Sequence, residues 1–511
     1  MSEKKTVRQL PARLAEALRR GFRAYNHRLG RVYSPHTAAL TGTALVFVML
    51  FFILFVPPIT GVADDGSLSS ILLGTGLGYR RQDLSYPTGA YFVRVYLHST
   101  YQPSGLSAHQ ALIRFAMWLD DRLMPDNLFD IRVLAALYAL LYLPGVYLVF
   151  RGIAARVSVA AEATFLVIIG ALIFGDAAAV SCFNSLYPEA LWQICMVYCM
   201  GFSMALQRGK PGRTQMGLLG FLISGSVLTF SESHCAAAGL VFTLYFVRMM
   251  MMEDRTIQIS IMSIVCAAVM LTVAVISGTA GSTRFTEASK MHAMTNGVLL
   301  RSNNPAETLA EFGIDPRFET LTDVSSYDDY PYALSGEPEI RRNFLDRYSL
   351  GSILLHYARA PLAAAGLLEV GTRAAFHPTR NYLGNFESGT NLPERRTNGQ
   401  LTFYSNFKAS SLPHTLGFLA ILGGVYWALF RKRRGIMAHD IKFTFRERQI
   451  MLDTFLMLGL TGIAHMGAVI CLSGTAELER YRSIFGVCID GMLLLFIAEI
   501  LHRLKILSEG D

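Results

Sequence analysis

The sequence is poor in charge. Asp, Glu, Lys and Arg make up 16% of its 511 residues, while 52% are hydrophobic; an ordinary soluble domain carries about 25% charged residues. That balance excludes a soluble globular enzyme and points to a chain that crosses a bilayer several times. Paired cysteine motifs are missing as well. Cys182, Cys195, Cys199, Cys235, Cys266, Cys471 and Cys488 are scattered in or near apolar runs, so their spacing indicates neither a zinc framework nor a disulfide framework. Cys195 and Cys199, four apart, share one helix face and read as small packing residues. There is no G-x-G-x-x-G or Walker pattern and therefore no nucleotide site to argue for. Internal repeats are absent, which removes support for an inverted-repeat transporter. No short apolar stretch with a small-residue cleavage site follows the N-terminus, so the first long apolar run is expected to stay as an anchor.

What the chain does have is a series of apolar runs. A span needs about 20 such residues, and ten are expected: 38–57, 131–151, 158–176, 187–207, 215–231, 234–250, 257–277, 413–430, 449–472 and 483–502. The formal net charge of +8 is concentrated between them. The basic N-terminus, RGIAAR (151–156), QRGKPGR (207–213), MEDR (252–255), RKRR (431–434) and HRLK (502–505) fall on one side under this count. The positive-inside rule makes that side cytoplasmic and puts both termini there. The N-terminal segment, with Leu and Phe at helical spacing, reads as a basic amphipathic stretch on anionic lipid.

The opposite, extracytoplasmic side then receives the 58–130 loop opening on GVADDGS, the turn FNSLYPEA (183–190), SESH (231–234), a long segment over 279–412, and AELERYRS (476–483). SAHQALIRFAMWLDDRL (107–123) has an amphipathic helical pattern and is expected along the bilayer surface. SILLHYARAPLAAAGLLEVGTRAAF (352–376) is apolar but broken by Arg359 and Pro361, and is expected as a packed or re-entrant hairpin.

Four turns thus carry ionisable groups to one face: Asp64 and Asp65; Glu189; Glu232 and His234; and Glu477, Glu479, Arg480 and Arg482. Such groups at membrane depth are costly and often mark a site. Each also has a plainer local role. Asp-Asp-Gly is a common solvated turn, Glu189 follows Pro188 at a helix start where the dipole favours it, and the arginines have glutamates beside them to pair with. Asp453 and Asp490 fall inside expected spans and read as helix-packing groups.

Taken in order along the chain, these pieces resemble the GT-C superfamily of membrane glycosyltransferases, and within it the bacterial glycan-biosynthesis hexose transferases of WsfD type. The first loop is similar to that group's G-x-A-D-N-G-D-F through Gly61, Ala63, Asp64, Asp65, Gly66, Ser67 and Leu68. The short turn resembles N-S-F-Y-x-E through Asn184, Ser185, Leu186, Tyr187, Pro188 and Glu189. MTNGVLLRSNNPAETLAEFGID (294–315), RNYLGNFE (380–387) and ERYRS (479–483) resemble later elements in the same order. Two positions depart. Ser67 stands where the pattern has a second acid, and Glu232 stands where related chains often carry lysine.

The resemblance implies a polytopic α-helical membrane protein of about ten transmembrane helices with a small α-rich extracytoplasmic domain. Its parts are a basic N-terminus (1–37), a membrane module (38–277) containing the catalytic first loop (58–130), the extracytoplasmic domain (278–412) and a C-terminal membrane module (413–511). It implies transfer of a hexose from a polyprenyl-phosphate-linked donor lipid to a glycan or cell-envelope acceptor at the bacterial cytoplasmic membrane. Asp64 is the expected general base, with Asp65 as its orienter or substitute. Arg480 and Arg482 are expected on the donor phosphate, with His234 assisting them. Asn184, Tyr187 and Glu189 are expected on sugar hydroxyls or on a divalent cation, which the carboxylates suit but nothing demands. A glycan polymerase or ligase using a lipid-diphosphate donor is a rival enzyme reading, and a transporter or flippase is a rival of another class.

Overall fold

The computed structural model describes residues 20–21, 24–28, 33–99, 107–157, 159–206, 211–252, 256–283, 286–325, 336–377, 383–431, 445–476 and 478–504. Much of the charge used to orient the chain, at 1–19, 207–210, 253–255, 432–444 and 505–511, lies outside the described residues.

The described chain is mostly helix. Its principal elements are α1 (Pro35–Phe55), α2 (Ser69–Thr75), strands β1 (Leu77–Gly78) and β2 (Val95–His98), α3 (Ala108–Leu123), β3 (Leu128–Asp130), α4 (Ile131–Ala154), α5 (Ala160–Phe174), α6 (Glu189–Ala205), α7 (Pro211–Ser231), α8 (Ala236–Met250) and α9 (Ile257–Thr283). After several short helical turns come α10 (Leu350–Arg359), α11 (Pro361–Phe376), α12 (Phe403–Ser411), α13 (Leu416–Arg431), α14 (Phe445–Ser473) and α15 (Leu478–Leu504).

Local chemistry sets several of these boundaries. Ser34 begins α1 with a capping box closed by Thr37 and Pro35 at the first position, and Ser107 begins α3 with a box closed by Gln110. Each satisfies amide groups that a helix start otherwise leaves unbonded. Asp130 caps α4, its carboxylate accepting from the Arg132 amide. At Ala360, before Pro361, the backbone leaves the helical region, as the ring of the following proline requires. The α10–α11 pair accordingly bends by 104°, which is the hairpin expected for 352–376.

Among the described residues, seven helices are long and apolar enough to cross a membrane, and up to ten spans result if each of three bent pairs counts as one. The chain is a polytopic helical membrane protein. Seven of the ten expected spans are these long helices. The other three are shorter than expected. Residues 158–176 form α5, which continues across a 42° bend into 177–184; 413–430 form α13, which meets α12 at 103°; and 187–207 form α6, of 17 residues.

Burial explains why α6 suffices. It is buried on nearly all sides, from Glu189 and Trp192 to Met204, as an all-round apolar helix at a bundle centre should be. By contrast α9 exposes Ile261, Ile264, Val265, Val269, Val275 and Ile276, an apolar face for lipid. Around α6 pack α4, α7, α14 and α15; α1 lies on α4 and α5, and α8 lies between α9 and α14.

The first loop forms a three-stranded antiparallel sheet in the order β1-β2-β3, with Tyr96 opposite Phe129. The amphipathic α3 packs against α4. Residues 56–99 and 107–130 lie at the same end of the bundle as the 184–188 and 231–235 turns and the start of α15, here termed the loop end.

Candidate active site

The peptide leaving α1 is held by hydrogen bonds to residues distant in sequence. Gly61 and Ala63 donate to the carbonyls of Asn385 and Gly384, at 2.8 and 3.0 Å. Asn385 returns a bond from Nδ2 to the Gly61 carbonyl at 2.7 Å. The GVADD and LGNFE stretches are therefore one assembly, although Arg380, Asn381 and Tyr382 of the latter motif lie outside the described residues. Two glycines permit this approach. A Cβ on Gly384 would stand 2.1 Å from the Ala90 carbonyl oxygen, and one on Gly61 would stand 2.7 Å from that of Asn184.

Within this frame Asp64 is a heavily bonded carboxylate. Its Oδ1 accepts from the amides of Gly66 (2.7 Å) and Leu68 (3.2 Å), and its Oδ2 from the Tyr79 hydroxyl (2.5 Å). It thus caps the turn into α2, and the turn reading of this stretch is correct as far as it goes. Asp65 Oδ1 accepts from the amide and hydroxyl of Ser67, at 3.0 and 2.6 Å. Ser67 thereby steadies Asp65.

Tyr187 joins this loop to the bundle. Its hydroxyl oxygen accepts from the Asp65 amide at 2.9 Å. The same oxygen, as donor, stands 2.5 Å from Asp65 Oδ1 and 3.3 Å from Asp64 Oδ1. Burial, then the two carboxylates, push the phenol well above its ordinary range, and burial does the same to Tyr79. Both therefore stay protonated as donors. The Arg480 guanidinium lies over the other side of Tyr187, 5.6 Å from the ring centroid, and 5.3 Å from that of Tyr481, within cation–π range. One tyrosine thus touches the first-loop carboxylates and an arginine of α15.

That arginine opens on a cavity of about 830 Å³, part of it continuous with solvent. Tyr187, Glu189, Lys408, Arg480, Arg482 and Asp490 line it, with Asn385 and Gln193. Three cations and two carboxylates converge there from α6, α12 and α15. Lys408 Nζ sits 2.7 Å from Asp490 Oδ1, which also accepts from the Tyr404 hydroxyl at 2.6 Å. A second cavity, of about 610 Å³, is lined by Asp64, Tyr79, Tyr86, Tyr91 and Ser388.

Of the residues expected from sequence, Tyr187, Glu189, Arg480 and Arg482 line the first cavity and Asp64 the second. Asp65 is tied to both through Tyr187. Asn184 is buried, and its Nδ2 is spent on the carbonyls of Leu54 (3.1 Å) and Thr60 (2.8 Å), which pins the chain leaving α1. His234 is buried behind Tyr481, ring centroids 3.9 Å apart, and does not line either cavity. Glu232 approaches Arg480 at 3.9 Å. Glu477 lies outside the described residues.

The sequence reading missed Lys408 and treated Asp490 as packing. Their pairing joins positions 82 apart on helices whose contact no local pattern announces; a lysine alone in FYSNFKASS was the only available sign. Asp453 does behave as a packing group, meeting Arg248 at 3.3 Å. ERYRS forms the opening turns of α15 instead of a loop before it. The Asn296 carbonyl supports the preceding turn by accepting from the Thr475 amide (3.0 Å) and hydroxyl (2.9 Å). The MTNG stretch thereby braces the turn that precedes α15.

Comparison with known proteins gives one match. A family model described as the YfdI N-terminal transmembrane domain fits residues 24–511. No curated protein and no solved structure matches the chain.

Proposed function

The chain belongs to the family of the YfdI N-terminal transmembrane domain, and on that premise we propose that it is a membrane glycosyltransferase of GT-C type. It moves a hexose from a polyprenyl-phosphate-linked donor to a glycan or cell-envelope acceptor at the extracytoplasmic face of a bacterial cytoplasmic membrane. The observation that carries this reading is the Tyr187 junction, which joins a cation-lined cavity to a carboxylate loop with a tyrosine-lined cavity beyond it.

A sugar phosphate needs two things at once. Its leaving phosphate must be stabilised as the anomeric C–O bond breaks, and the attacking hydroxyl must lose its proton. Arginine binds phosphate oxygens through two parallel N–H groups, and cations fixed in place cost no reorganisation as charge develops. Arg480 and Arg482 take that role, with Lys408 as a third positive charge. On the other side of Tyr187, the acceptor hydroxyl attacks the anomeric carbon and passes its proton to Asp64. The oxygen of Asp64 that holds the Tyr79 hydroxyl carries less of its hydrogen bonding than the other, which makes it the one to receive that proton. Asp65, anchored by Ser67 and Tyr187, orients the pair. Glu189 binds a sugar hydroxyl at the cavity wall, and the aromatic faces of Tyr79, Tyr86 and Tyr91 suit an acceptor glycan. The polyprenyl tail stays in lipid, since the cavity opens at the end of the bundle.

The decisive experiment replaces Asp64 by Asn in the full chain and follows glycan incorporation in membranes. Loss of a general base removes roughly 10²–10⁴-fold of rate. Full activity with an unchanged pH profile would remove Asp64 from this role. Offering lipid-monophosphate and lipid-diphosphate sugars side by side separates this transferase from a polymerase or ligase.

A further inference from the structure

Behind Tyr481, away from both cavities, three side chains with metal-binding atoms meet. His234 and Cys235 lie in the turn between α7 and α8, and His465 lies within α14; all three are buried, and their ligand atoms fall within 4.8 Å of one another. Both ring nitrogens of His465 and Nε2 of His234 are buried with no hydrogen-bond partner among the described residues. Orphaned nitrogens at this depth are unusual, because a buried polar atom without a partner loses its hydration for nothing. The aromatic neighbours do not relieve them. Trp192 meets His234 edge-on at 5.6 Å and Tyr481 meets it at 3.9 Å with the rings inclined at 60°, and neither gives its Nε2 a hydrogen bond.

The spacing fits an ion. The imidazole centroids of His234 and His465 are 5.2 Å apart with the rings inclined at 68°. Two imidazoles bound to one ion at about 2.0–2.1 Å, on tetrahedral angles, put their centroids roughly 5 Å apart. A thiolate and two imidazoles form a borderline-soft donor set, which suits zinc over the oxygen-seeking cations. The local charge is compatible. Arg480 is nearby, but Glu232 approaches it at 3.9 Å, and the thiolate supplies a further negative charge once the Cys235 proton is displaced.

We propose that His234, Cys235 and His465 bind one zinc-class divalent cation through two imidazole nitrogens and one thiolate. Three protein ligands leave a fourth position for water or a neighbouring oxygen. The ion ties the α7–α8 turn to α14. Through the contact of His234 with Tyr481 it steadies the helical turn that carries Arg480 and Arg482. These ligands are positioning residues, and the site stands apart from the transfer chemistry proposed above.

The test uses the full chain purified in detergent, stripped with a chelator and titrated with Co²⁺. One equivalent is expected to produce tetrahedral d–d bands with a thiolate-to-cobalt charge-transfer band, and added Zn²⁺ is expected to bleach both. Zn²⁺ should also raise the melting temperature of the wild type. Cys235→Ser should abolish the charge-transfer band, and His465→Ala should lose stoichiometric binding. A wild-type protein with no cobalt–thiolate band and no zinc-dependent melting shift overturns the site, as does a band that survives in Cys235→Ser. The wild-type titration decides the matter even if His465→Ala does not fold, and none of these readouts depends on transferase activity.

Discussion

At the end of the bundle remote from the first loop, Arg156 meets Glu499 at 3.2 Å, Arg248 meets Asp453 at 3.3 Å and His502 meets Glu162 at 3.5 Å. At the loop end, Glu189, Lys408, Arg480, Arg482 and Asp490 surround a cavity. Both ends bury ionisable groups, yet they use them differently. The remote charges are paired across helices, and the cavity beside them is lined by Leu148, Gly152, Phe202, Met216 and other uncharged groups, with Arg151 as the one charged residue among the described residues lining it. At the loop end the charges face a space that is covered by a folded loop carrying two more carboxylates. Burial of charge in a membrane bundle is thus weak grounds for a site; burial of charge around a covered cavity is much stronger grounds.

The comparison breaks first on stability. Lys408→Met takes the ammonium from Asp490, and Arg156→Met takes a guanidinium from Glu499, whose side chain is 1% exposed; breaking a buried pair by removing one partner costs roughly 3–5 kcal/mol. Thermal unfolding in detergent should show both losses. Only the Lys408 variant should also lose transfer rate in the protein that remains folded, and equal residual rates would erase the distinction between the ends. Next in size is Arg480→Gln, expected to lower kcat by about 10²–10³-fold, the usual result of removing one preorganised group that stabilises developing charge. Arg151→Gln at the remote cavity is its control and should leave kcat unchanged.

A smaller effect concerns how the loop is held. Gly384→Ala forces a methyl against the Ala90 carbonyl, and such overpacking costs roughly 1–3 kcal/mol. Limited proteolysis should find the 56–99 region cut faster in that variant. Smallest is a pH effect. Burial, then the Arg480 charge, push His109 down to about 3, against a hydrogen bond with the Tyr187 backbone. The unfolded histidine titrates at about 6.5, so between these values the unfolded chain binds the extra proton. This contribution to stability is complete above pH 6.5 and falls by roughly 1.4 kcal/mol per unit of acidification below it. Melting curves at pH 7.5 and 5.5 should differ accordingly, and His109→Gln should flatten that difference.

Several parts of the site were readable in advance. GVADD, FNSLYPEA and ERYRS each lie at the end of an apolar run, so counting spans was enough to bring them to one end. Tyr187 was readable as a site residue but not as the bridge between two cavities, because its partners are 122 and 123 positions away. Lys408 and Asp490 were not readable as a pair for the same reason. The cysteine spacing gave no indication of zinc, because spacing registers only motifs confined to one segment. The His234–Cys235–His465 group is assembled by two helix packings that spacing rules do not register.

Hydrophobic length and terminal charge belong to a one-dimensional string. From them follow the membrane class, most of the spans and the end at which each turn emerges, because a bilayer constrains every segment separately. Which charges meet each other and which line a cavity depends on how helices rotate and cross. Only their packing around α6, and the hydrogen bonds between residues 384–385 and the first loop, set an ordinary Asp-Asp-Gly turn at one cavity and bond it through Tyr187 to another.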